Sequence, residues 1–464
     1  MSRSEHDLLG DREVPDDAYW GVHTLRALEN FPISRETIGD APELVDALAC
    51  VKAACARANH ELGTLDERRA RAIVAACQEI RAGALREQFV VDLVQGGAGT
   101  STNMNANEVI ANRALELLGL PRGSYEHLHP NEHVNLSQST NDVYPTALRL
   151  AVVADAQRLR AALEHLSEAF GGKAQEFADV VKLGRTQLQD AVPMTLGQEL
   201  AAFRWTLRED LQRIEEAQRL LHEVNLGATA IGTGITAPPG FAECSLRHLV
   251  SLTDLPLKLA PDLVEATQDT GALVAMSGTL KRLATKLIKI CNDLRLLSSG
   301  PQAGLGELRL PAMQAGSSIM PGKVNPVIPE VVNQIAFQVI GNDLTVTLAA
   351  QGGQLQLNPF EPIIFRALRE SLQQLTTGCQ LLADRCVLGI EVDRELLAAR
   401  IGGSVALCTA LAPAIGYAAA TALAKRALSS GRSVRELALD SGLLSEVELE
   451  EILCSLTRPA TVGG

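Results

Sequence analysis

The sequence predicts a mainly α-helical protein organised around a long helical bundle, and two observations carry this prediction. Proline is absent from the intervals 146–192, 194–237 and 262–300, so each interval can hold a helix of many turns. Within them, apolar residues recur at alternating steps of three and four, the pattern of a bundle seam. The longest such run comprises Leu273, Met276, Leu280, Leu283, Leu287, Ile290, Leu294 and Leu297. A helix of that size is about 40 Å long and needs apolar partners throughout, so we expect a multi-helix bundle shared between subunits.

The bundle divides the chain into three predicted domains. Residues 1–141 are typical of a mixed, mostly helical N-terminal domain, residues 142–395 of the central long-helix bundle, and residues 396–464 of a small C-terminal helical domain. Shorter helices are predicted at 43–62, 66–86 and 108–118, at the capping box Ser433–Glu436, and at 445–453.

Composition and charge narrow the classes of function. The 464 residues are 46% hydrophobic and 21% charged, which is ordinary for a soluble globular chain, and no apolar run approaches the roughly 18 residues that span a bilayer. The N-terminus lacks the apolar core of a secretory signal, so we expect a cytoplasmic protein without a membrane partner. A net charge of -13 argues against nucleic acid as a partner, and any acidic substrate must then be held by local cations.

Neither the cysteines nor the histidines predict a metal site. The nine cysteines have no Cys-x-x-Cys spacing and lie mostly in apolar helical surroundings, so we expect reduced, structural thiols. His127, His129 and His133 are close in sequence, but Pro130 prevents one regular helix from presenting all three imidazoles, and no fourth ligand is evident. A polar loop is the favoured interpretation, and whether this loop forms a secondary ligand site stays open.

The segment 316–326 carries the strongest chemical signal. It brings together two hydroxyls, an ammonium and an amide: Ser317, Ser318, Lys323 and Asn325. Glycines and prolines among them favour a loop, and a polar loop with glycine near both ends suggests a flap that closes on a ligand. A solvated surface turn is the alternative. A phosphate-binding loop is excluded, because Val324 stands where such a loop needs a hydroxyl.

Four further polar segments interrupt the predicted helices. Segment 95–105 combines glycines, hydroxyls and amides before a helix, where an anion site and a simple N-cap are equally good interpretations. Segments 135–142 and 184–193 carry more hydroxyl and amide groups. Segment 225–234 contains Gly-x-Gly, but no strand precedes it and no βαβ unit surrounds it, so we do not predict a dinucleotide site there.

Four of these segments, 95–105, 135–142, 184–190 and 316–326, together resemble the aspartase/fumarase superfamily, whose loop pattern G-S-S-x-M-P-x-K-x-N is present over Gly316–Asn325. The resemblance spans almost the whole chain. It implies a three-domain fold with a mixed first domain, a long central bundle and a small helical third domain. It also implies a homotetramer whose bundles merge into one helical core, with each active site built from three subunits.

Within the superfamily, several stretches resemble the aspartate ammonia-lyases more than the fumarases. These stretches are 7–15, 21–27, 97–100, 139–142 and 353–358. The resemblance therefore implies the reversible deamination of L-aspartate to fumarate and ammonia, by abstraction of a Cβ proton through an aci-carboxylate intermediate. Such a dianion needs many preorganised donors, and neutral hydroxyls and amides supply them.

The resemblance also implies roles for individual residues. It makes Ser317 the general base, with Lys323 and backbone N–H groups of the closed loop available to stabilise its alkoxide. The β-carboxylate would be held by Thr100, Ser139, Thr140 and Ser318. The α-carboxylate would be held by Thr186, Lys323 and Asn325. Asn141 and Gln187 would lie near the amino group. No cofactor and no resident metal are implied, and activation by a divalent ion such as Mg²⁺ stays open.

One departure from the superfamily bears on the choice of reaction. Most members have His after Gly-Arg-Thr, whereas this chain has Gln187, and an amide cannot relay a proton at neutral pH. Hydroxide needs protonation to leave but ammonia does not, so Gln187 favours deamination over water elimination. Other departures, at Gln302, Ala312, Gly403 and Ala412, concern regions outside the 316–326 loop. The alternatives are a fumarate hydratase, and a catalytically silent helical scaffold against which the complete set of polar segments argues.

Overall fold

The computed structural model describes the backbone of residues 1–455 and the side chains of residues 1–453. Residues 456–464 of the predicted C-terminal domain, and the side chain of Cys454, lie outside that range. Helices dominate the described chain, which confirms the predicted mainly α-helical class. In order they are α1 (Val22–Asn30), α2 (Pro42–Glu61), α3 (Glu67–Arg81), α4 (Thr100–Leu117), α5 (Thr140–Glu176), α6 (Leu196–Leu221), α7 (Phe241–Thr253), α8 (Leu263–Gln268), α9 (Gly271–Leu297), α10 (Val327–Gln351), α11 (Glu361–Arg385), α12 (Arg394–Gly403), α13 (Leu407–Ile415), α14 (Tyr417–Ser430), α15 (Val434–Asp440) and α16 (Glu446–Ser455).

The long helices α5, α6 and α9 fall where the periodicity predicts them, and α10 and α11 lie within the predicted bundle region 142–395. On α9 every predicted seam residue from Leu273 to Leu297 is at most 5% exposed. On α5, Leu159, Leu163, Leu166 and Phe170 follow the same three-and-four spacing, and all four are fully buried. A narrow apolar stripe can keep a helix of this length folded only if it is covered throughout, so the burial explains why these long segments are helical.

Among residues 1–455, short strands occur in four pairs, none of which the periodicity predicted. The strands are β1 (Ser2–Asp7), β2 (Gly10–Pro15), β3 (Val181–Thr186), β4 (Gln189–Thr195), β5 (Glu223–Val224), β6 (Lys258–Leu259), β7 (Leu308–Arg309) and β8 (Glu391–Val392). β1 pairs with β2, β3 with β4 and β7 with β8, all antiparallel, whereas β5 and β6 are parallel. The β3–β4 hairpin replaces the connecting loop predicted at 184–193.

Two compact units make up the chain, and each consists of three separate stretches. Unit 1 comprises residues 1–159, 212–282 and 337–374. Unit 2 comprises residues 160–211, 283–336 and the chain from Leu375 onward. The boundary between the units falls inside the long helices, so it is a different division from the three domains at 1–141, 142–395 and 396–464, which stay a prediction.

Two properties of the described residues concern membranes and thiols. No single helix among residues 1–455 is both long and apolar enough to cross a bilayer; α12 and α13 meet that test only as a pair, and they are bent by 57° at the break. Eight cysteines are free and buried: Cys50, Cys55, Cys77, Cys244, Cys291, Cys379, Cys386 and Cys408. This agrees with the expectation of reduced, structural thiols for those eight positions.

Candidate active site

In unit 1, the start of α5 holds three of the predicted substrate-binding residues in a fixed geometry. Ser139 precedes the helix, and its Oγ accepts a hydrogen bond from the backbone N–H of Asn141 at 3.2 Å. In return, the Asp142 carboxylate accepts from the Ser139 N–H at 3.0 Å. The Ser139 side chain thus caps the N–H of the second helical residue, while Asp142, the third helical residue, binds the Ser139 N–H in return. This exchange fixes where Ser139, Thr140 and Asn141 stand relative to the helix axis.

Asp142 also ties the helix start to the segment 225–234. Its other carboxylate oxygen accepts from the backbone N–H groups of Gly227 at 3.1 Å and Thr229 at 2.9 Å. The carboxyl group is fully buried, and burial raises its pKa to about 6, against the opposing effect of these N–H donors and of Lys52. A buried carboxylate bound by three backbone donors therefore holds two remote stretches of chain together.

Asn141 makes the same connection with its own amide and carbonyl. Its Nδ2 donates to the Ala230 carbonyl oxygen at 2.8 Å, and Asn225 Nδ2 donates to the Asn141 carbonyl oxygen at 2.9 Å. The Gly-x-Gly of this segment serves close approach, since a Cβ at Gly232 would lie 2.4 Å from the backbone of Val264. The segment set aside as a nucleotide site thus positions a predicted substrate-binding residue.

A network of buried amides supports Thr140. Asn103 Nδ2 donates to Thr140 Oγ1 and to Asn135 Oδ1, both at 3.1 Å. Lys52 is fully buried and donates to Asn135 Oδ1 at 2.8 Å and to Gln138 Oε1 at 3.0 Å; burial lowers its pKa to about 8. Because Thr140 Oγ1 accepts from Asn103, its own proton is available to donate to a ligand.

Thr100 lies at the first residue of α4, so the prediction that the helix starts at Glu108 is wrong by two turns. The left-handed φ of 87° at Gly99 sets the turn, and a Cβ there would come within 2.5 Å of the Tyr144 ring. Gln95 Oε1, rather than a Thr or Ser hydroxyl, accepts from the N-terminal N–H of Thr102 at 3.0 Å. The Thr100 hydroxyl donates to the Gly97 carbonyl oxygen at 2.7 Å and must leave that bond to contact a carboxylate.

In unit 2, the segment 316–326 is a closed loop whose ends are bonded together. The Gly316 N–H donates to the Lys323 carbonyl oxygen at 3.0 Å, and Asn325 Nδ2 donates to the Gly316 carbonyl oxygen at 2.9 Å. A Cβ at Gly316 would lie 2.3 Å from the Lys323 oxygen, so only glycine fits this closure. The loop is therefore one formed element that carries all four predicted residues.

Ser317 occupies a favourable position for a base. Its Oγ accepts hydrogen bonds from the backbone N–H groups of Ile319 at 3.2 Å and Met320 at 3.0 Å. Donors aimed at a hydroxyl oxygen stabilise the alkoxide more than the neutral hydroxyl, which lowers the pKa of a serine. The same arrangement would serve as a capped turn, but it leaves the Ser317 proton free to depart.

The 316–326 loop also exposes apolar surface. Ile319 is 82% exposed, Val324 51% and Met320 48%. Ser318 and Lys323 are exposed beside them. Several exposed apolar side chains on one short loop mark a surface that another group covers.

Thr186 and Gln187 stand at the exposed tip of the β3–β4 hairpin in unit 2. The turn residues Gln187 and Leu188 have left-handed φ values of 52° and 63°. A two-residue hairpin turn needs this conformation at both positions, and it usually takes Asn or Gly there. Strain of this kind persists only where the surrounding structure holds it.

Buried charges hold the base of that hairpin. Glu307 contacts Lys182 at 3.0 Å, Arg185 at 2.6 Å and Arg400 at 3.3 Å, and Lys182 also contacts Glu199 at 2.7 Å. Glu307 and Lys182 are each 1% exposed. Burial alone would raise the pKa of Glu307, but hydrogen bonds from Arg185 and Lys182 hold it below its usual range.

The histidine segment forms a single π-helical turn at Pro130–Val134. His129 Nδ1 accepts from the N–H groups of Asn131 at 3.1 Å and Glu132 at 3.3 Å, and His133 Nδ1 accepts from the His129 N–H at 2.8 Å. Local backbone bonds thus use these nitrogens, which supports the interpretation as a polar turn.

Comparison with known proteins adds the family. A family model described as "Lyase" matches residues 10–341, and one described as "Fumarase C C-terminus" matches residues 407–456. The chain belongs to the aspartase/fumarase superfamily.

Members of the superfamily match over nearly the full chain. A protein of Pseudomonas aeruginosa named aspartate ammonia-lyase is 56% identical over 453 residues, which is 97% of this chain and 96% of that protein. The crystal structure described as fumarate lyase:delta crystallin from Brucella melitensis bound to cobalt superposes with a TM-score of 0.96 at 57% identity, over 99% of this chain and 100% of that one. The crystal structure of the class II fumarase of Schistosoma mansoni superposes with a TM-score of 0.93 at 37% identity, over 99% of this chain and 100% of that one.

The predicted site residues fall into three groups. Unit 1 holds Thr140 and Asn141 at the start of α5. Unit 2 holds the other two groups: Thr186 and Gln187 on the hairpin, and Ser317, Ser318, Lys323 and Asn325 on the loop. The supporting residues Lys52, Asn103, Asp142 and Glu307 were missed. Only Asp142 had a local signal, because Ser139-x-x-Asp142 has capping-box spacing.

Proposed function

We propose that the protein is a carbon–nitrogen lyase that catalyses the reversible deamination of L-aspartate to fumarate and ammonia in the cytoplasm. The observation that carries this proposal is the Ser317 hydroxyl, which faces two backbone N–H donors within a loop that also bears Ser318, Lys323 and Asn325. The near-full-length identity to an aspartate ammonia-lyase supports the choice of substrate.

The proposed chemistry has two steps, joined by an aci-carboxylate intermediate. Ser317, deprotonated, takes a proton from Cβ of aspartate, and the electron pair moves onto the β-carboxylate as an aci-dianion. Donors from Thr100, Ser139, Thr140 and Ser318 stabilise that charge. The electron pair then returns to form the Cα–Cβ double bond as the Cα–N bond breaks and the amino group departs as ammonia.

Binding and departure fall to the remaining residues. Thr186, Lys323 and Asn325 hold the α-carboxylate, and Lys323 supplies the local positive charge that an acidic substrate needs on a chain of net charge -13. Asn141 and Gln187 lie beside the amino group. Because ammonia leaves without an acid, the amide of Gln187 suffices. The reaction uses no cofactor, and a divalent ion such as Mg²⁺ acts at most as an activator.

We further propose a homotetramer in which three subunits build each active site. An exposed apolar stripe on α10 supports self-association: Phe337 is 57% exposed, Ile340 36%, Leu344 60% and Leu348 55%. Their spacing of three and four residues puts them on one helix face, which is the pattern of a helix that packs against another copy.

The test is fumarate formation, followed by its ultraviolet absorbance, with purified protein given L-aspartate or L-malate separately. We expect fumarate from aspartate alone. Fumarate from malate alone would overturn the proposal in favour of a hydratase, and product from neither would favour a different amino-acid substrate or the silent scaffold.

A further inference from the structure

We propose that Glu61, Cys244 and His248 form a binding site for a thiophilic divalent cation of the Zn²⁺ class, where α2 meets α7 in unit 1. One potential ligand atom from each residue lies within 4.8 Å of the others. Nothing in the proposed deamination uses these residues, so the proposal does not rest on that function.

The local structure builds the ligand pair. Cys244 and His248 are four residues apart on α7, so their side chains share one face of the helix. Glu61 is the last residue of α2, and its carboxylate lies 3.0 Å from His248 Nε2. Two helices that pack together thus present a thiol, an imidazole and a carboxylate to one point.

The donor set selects the cation. Zn²⁺ accepts sulfur, nitrogen and oxygen ligands in a tetrahedral arrangement, and three protein ligands leave one position open. Mg²⁺ demands oxygen ligands in an octahedron, so a thiol and an imidazole exclude it. Cys244 is 5% exposed, which shields the sulfur from water on its protein side.

Arg247 determines how the site loads. Its guanidinium donates to Glu61 at 2.8 Å and to Cys244 Sγ at 3.0 Å, so it occupies the place a cation would take. The Arg247 side chain is 61% exposed, and it can swing into solvent. Loading therefore exchanges the arginine for the metal, and the Cys244 thiol releases one proton as the sulfur–metal bond forms.

A cavity beside the cluster provides the entry path. It has a volume of about 630 Å³ and is lined by Glu61, His248, His60, Arg57 and Arg71 among others.

The experiment uses the full-length protein stripped with chelator and titrated with Co²⁺ and Zn²⁺. Co²⁺ replaces Zn²⁺ in such sites, and a cobalt–thiolate bond gives a charge-transfer band in the near ultraviolet. We expect that band at one equivalent per chain, its displacement by Zn²⁺ but not by Mg²⁺, and a higher unfolding temperature with Zn²⁺.

Variants assign the binding to this cluster. C244S should abolish the charge-transfer band, and H248A and E61Q should each weaken Zn²⁺ binding at least tenfold. R247A should strengthen it about tenfold, because the competing guanidinium is gone. C408S is the matched control, since Cys408 is also 5% exposed but lies in unit 2.

The outcomes separate cleanly. Because Glu61 and His248 are more exposed than Cys244, E61Q and H248A decide the matter if C244S does not fold. Equal Zn²⁺ affinity in wild type, E61Q and H248A would overturn the proposal, as would the absence of a cobalt–thiolate band in the wild type. Aspartate turnover plays no part in any readout, so failure here leaves the proposed function untouched.

Discussion

Two buried carboxylates support the predicted substrate-binding residues, and their pKa values are shifted in opposite directions. Asp142 lies under Thr140 and Asn141 and is bound by three backbone N–H groups. Glu307 lies under the hairpin that carries Thr186 and Gln187, and three cationic side chains surround it. Burial raises the pKa of Asp142 to about 6, whereas the cations hold the pKa of Glu307 below its usual range.

The difference shows what each kind of partner provides. Neutral N–H donors orient a carboxylate and join two backbone segments, but they do not fully offset the loss of hydration. Cationic partners do offset the loss of hydration. They are then buried charges themselves, and they need the carboxylate as a partner in turn. The helix start in unit 1 is therefore held by backbone geometry, and the hairpin in unit 2 is held by charge balance.

The largest effect should come from the residue that neither carboxylate supports. Ser317→Ala removes the proposed base and should lower kcat about 10³-fold with a small change in KM. The adjacent Ser318→Ala removes one donor to the proposed aci-carboxylate and should lower kcat by less, about 10²-fold. Steady-state kinetics with L-aspartate separates the two variants, and S317A retaining more than a tenth of wild-type kcat would refute the assigned base.

Neutralising the two carboxylates should then separate the supports. Glu307→Gln leaves Lys182, Arg185 and Arg400 short of a buried partner and should cost about 3 kcal/mol of unfolding free energy. Asp142→Asn turns an amide group toward backbone donors and should cost about 1–2 kcal/mol. Urea unfolding measures both.

Glu168→Gln is the control for that pair, because Glu168 is 58% exposed in its contact with Arg204 and should cost well under about 1 kcal/mol. A larger loss for D142N than for E307Q would reverse the comparison.

The pH dependence of stability should differ in sign between the two sites. The pKa of Asp142 rises from 3.8 to about 6 on folding, so its contribution is complete below about pH 4 and is lost as pH rises through 6. The pKa of Glu307 falls below 4.5 on folding, so its contribution is present above that value and is lost as pH falls.

Unfolding free energies between pH 3.5 and 7 check this prediction, with a slope of up to about 1.4 kcal/mol per pH unit for one proton. D142N should remove the loss between pH 4 and 6, and E307Q should remove part of the acid loss. Identical profiles in wild type and both variants would contradict the assignment.

The smallest effect should come from Gln187→His. Histidine is enriched at positive φ, so the hairpin turn tolerates it. Because ammonia leaves without an acid, we expect aspartate turnover within about threefold of wild type, together with a measurable malate dehydration. A loss of aspartate turnover beyond about tenfold would show that the amide itself is needed.

The sequence predicts the long helices well because their signal is local and repeated. The spacing from Leu273 to Leu297 predicts one apolar stripe along a helix, and α9 buries every residue of that stripe. The β3–β4 hairpin lacks such a signal, since Gln187 and Leu188 occupy turn positions that usually take Asn or Gly. Its support by Glu307 joins residues more than a hundred positions apart.

In the candidate site, too, local motifs can be predicted from the sequence, whereas contacts between remote segments cannot. The motif residues Ser317, Lys323 and Asn325 are read directly from the chain, and the structure places them on one loop. The role of segment 225–234 could not be read, because Asn141 meets Ala230 across 89 positions.

In the proposed tetramer, segments from different subunits, each held by its own chain, complete one active site. The most direct measurement mixes two inactive variants, Ser317→Ala and Asn141→Ala, by co-refolding and assays fumarate formation from L-aspartate. With random assembly into tetramers, about a quarter of the sites should carry both native residues, and activity should return to about a quarter of wild type. Activity no higher than that of the separate variants would contradict shared sites.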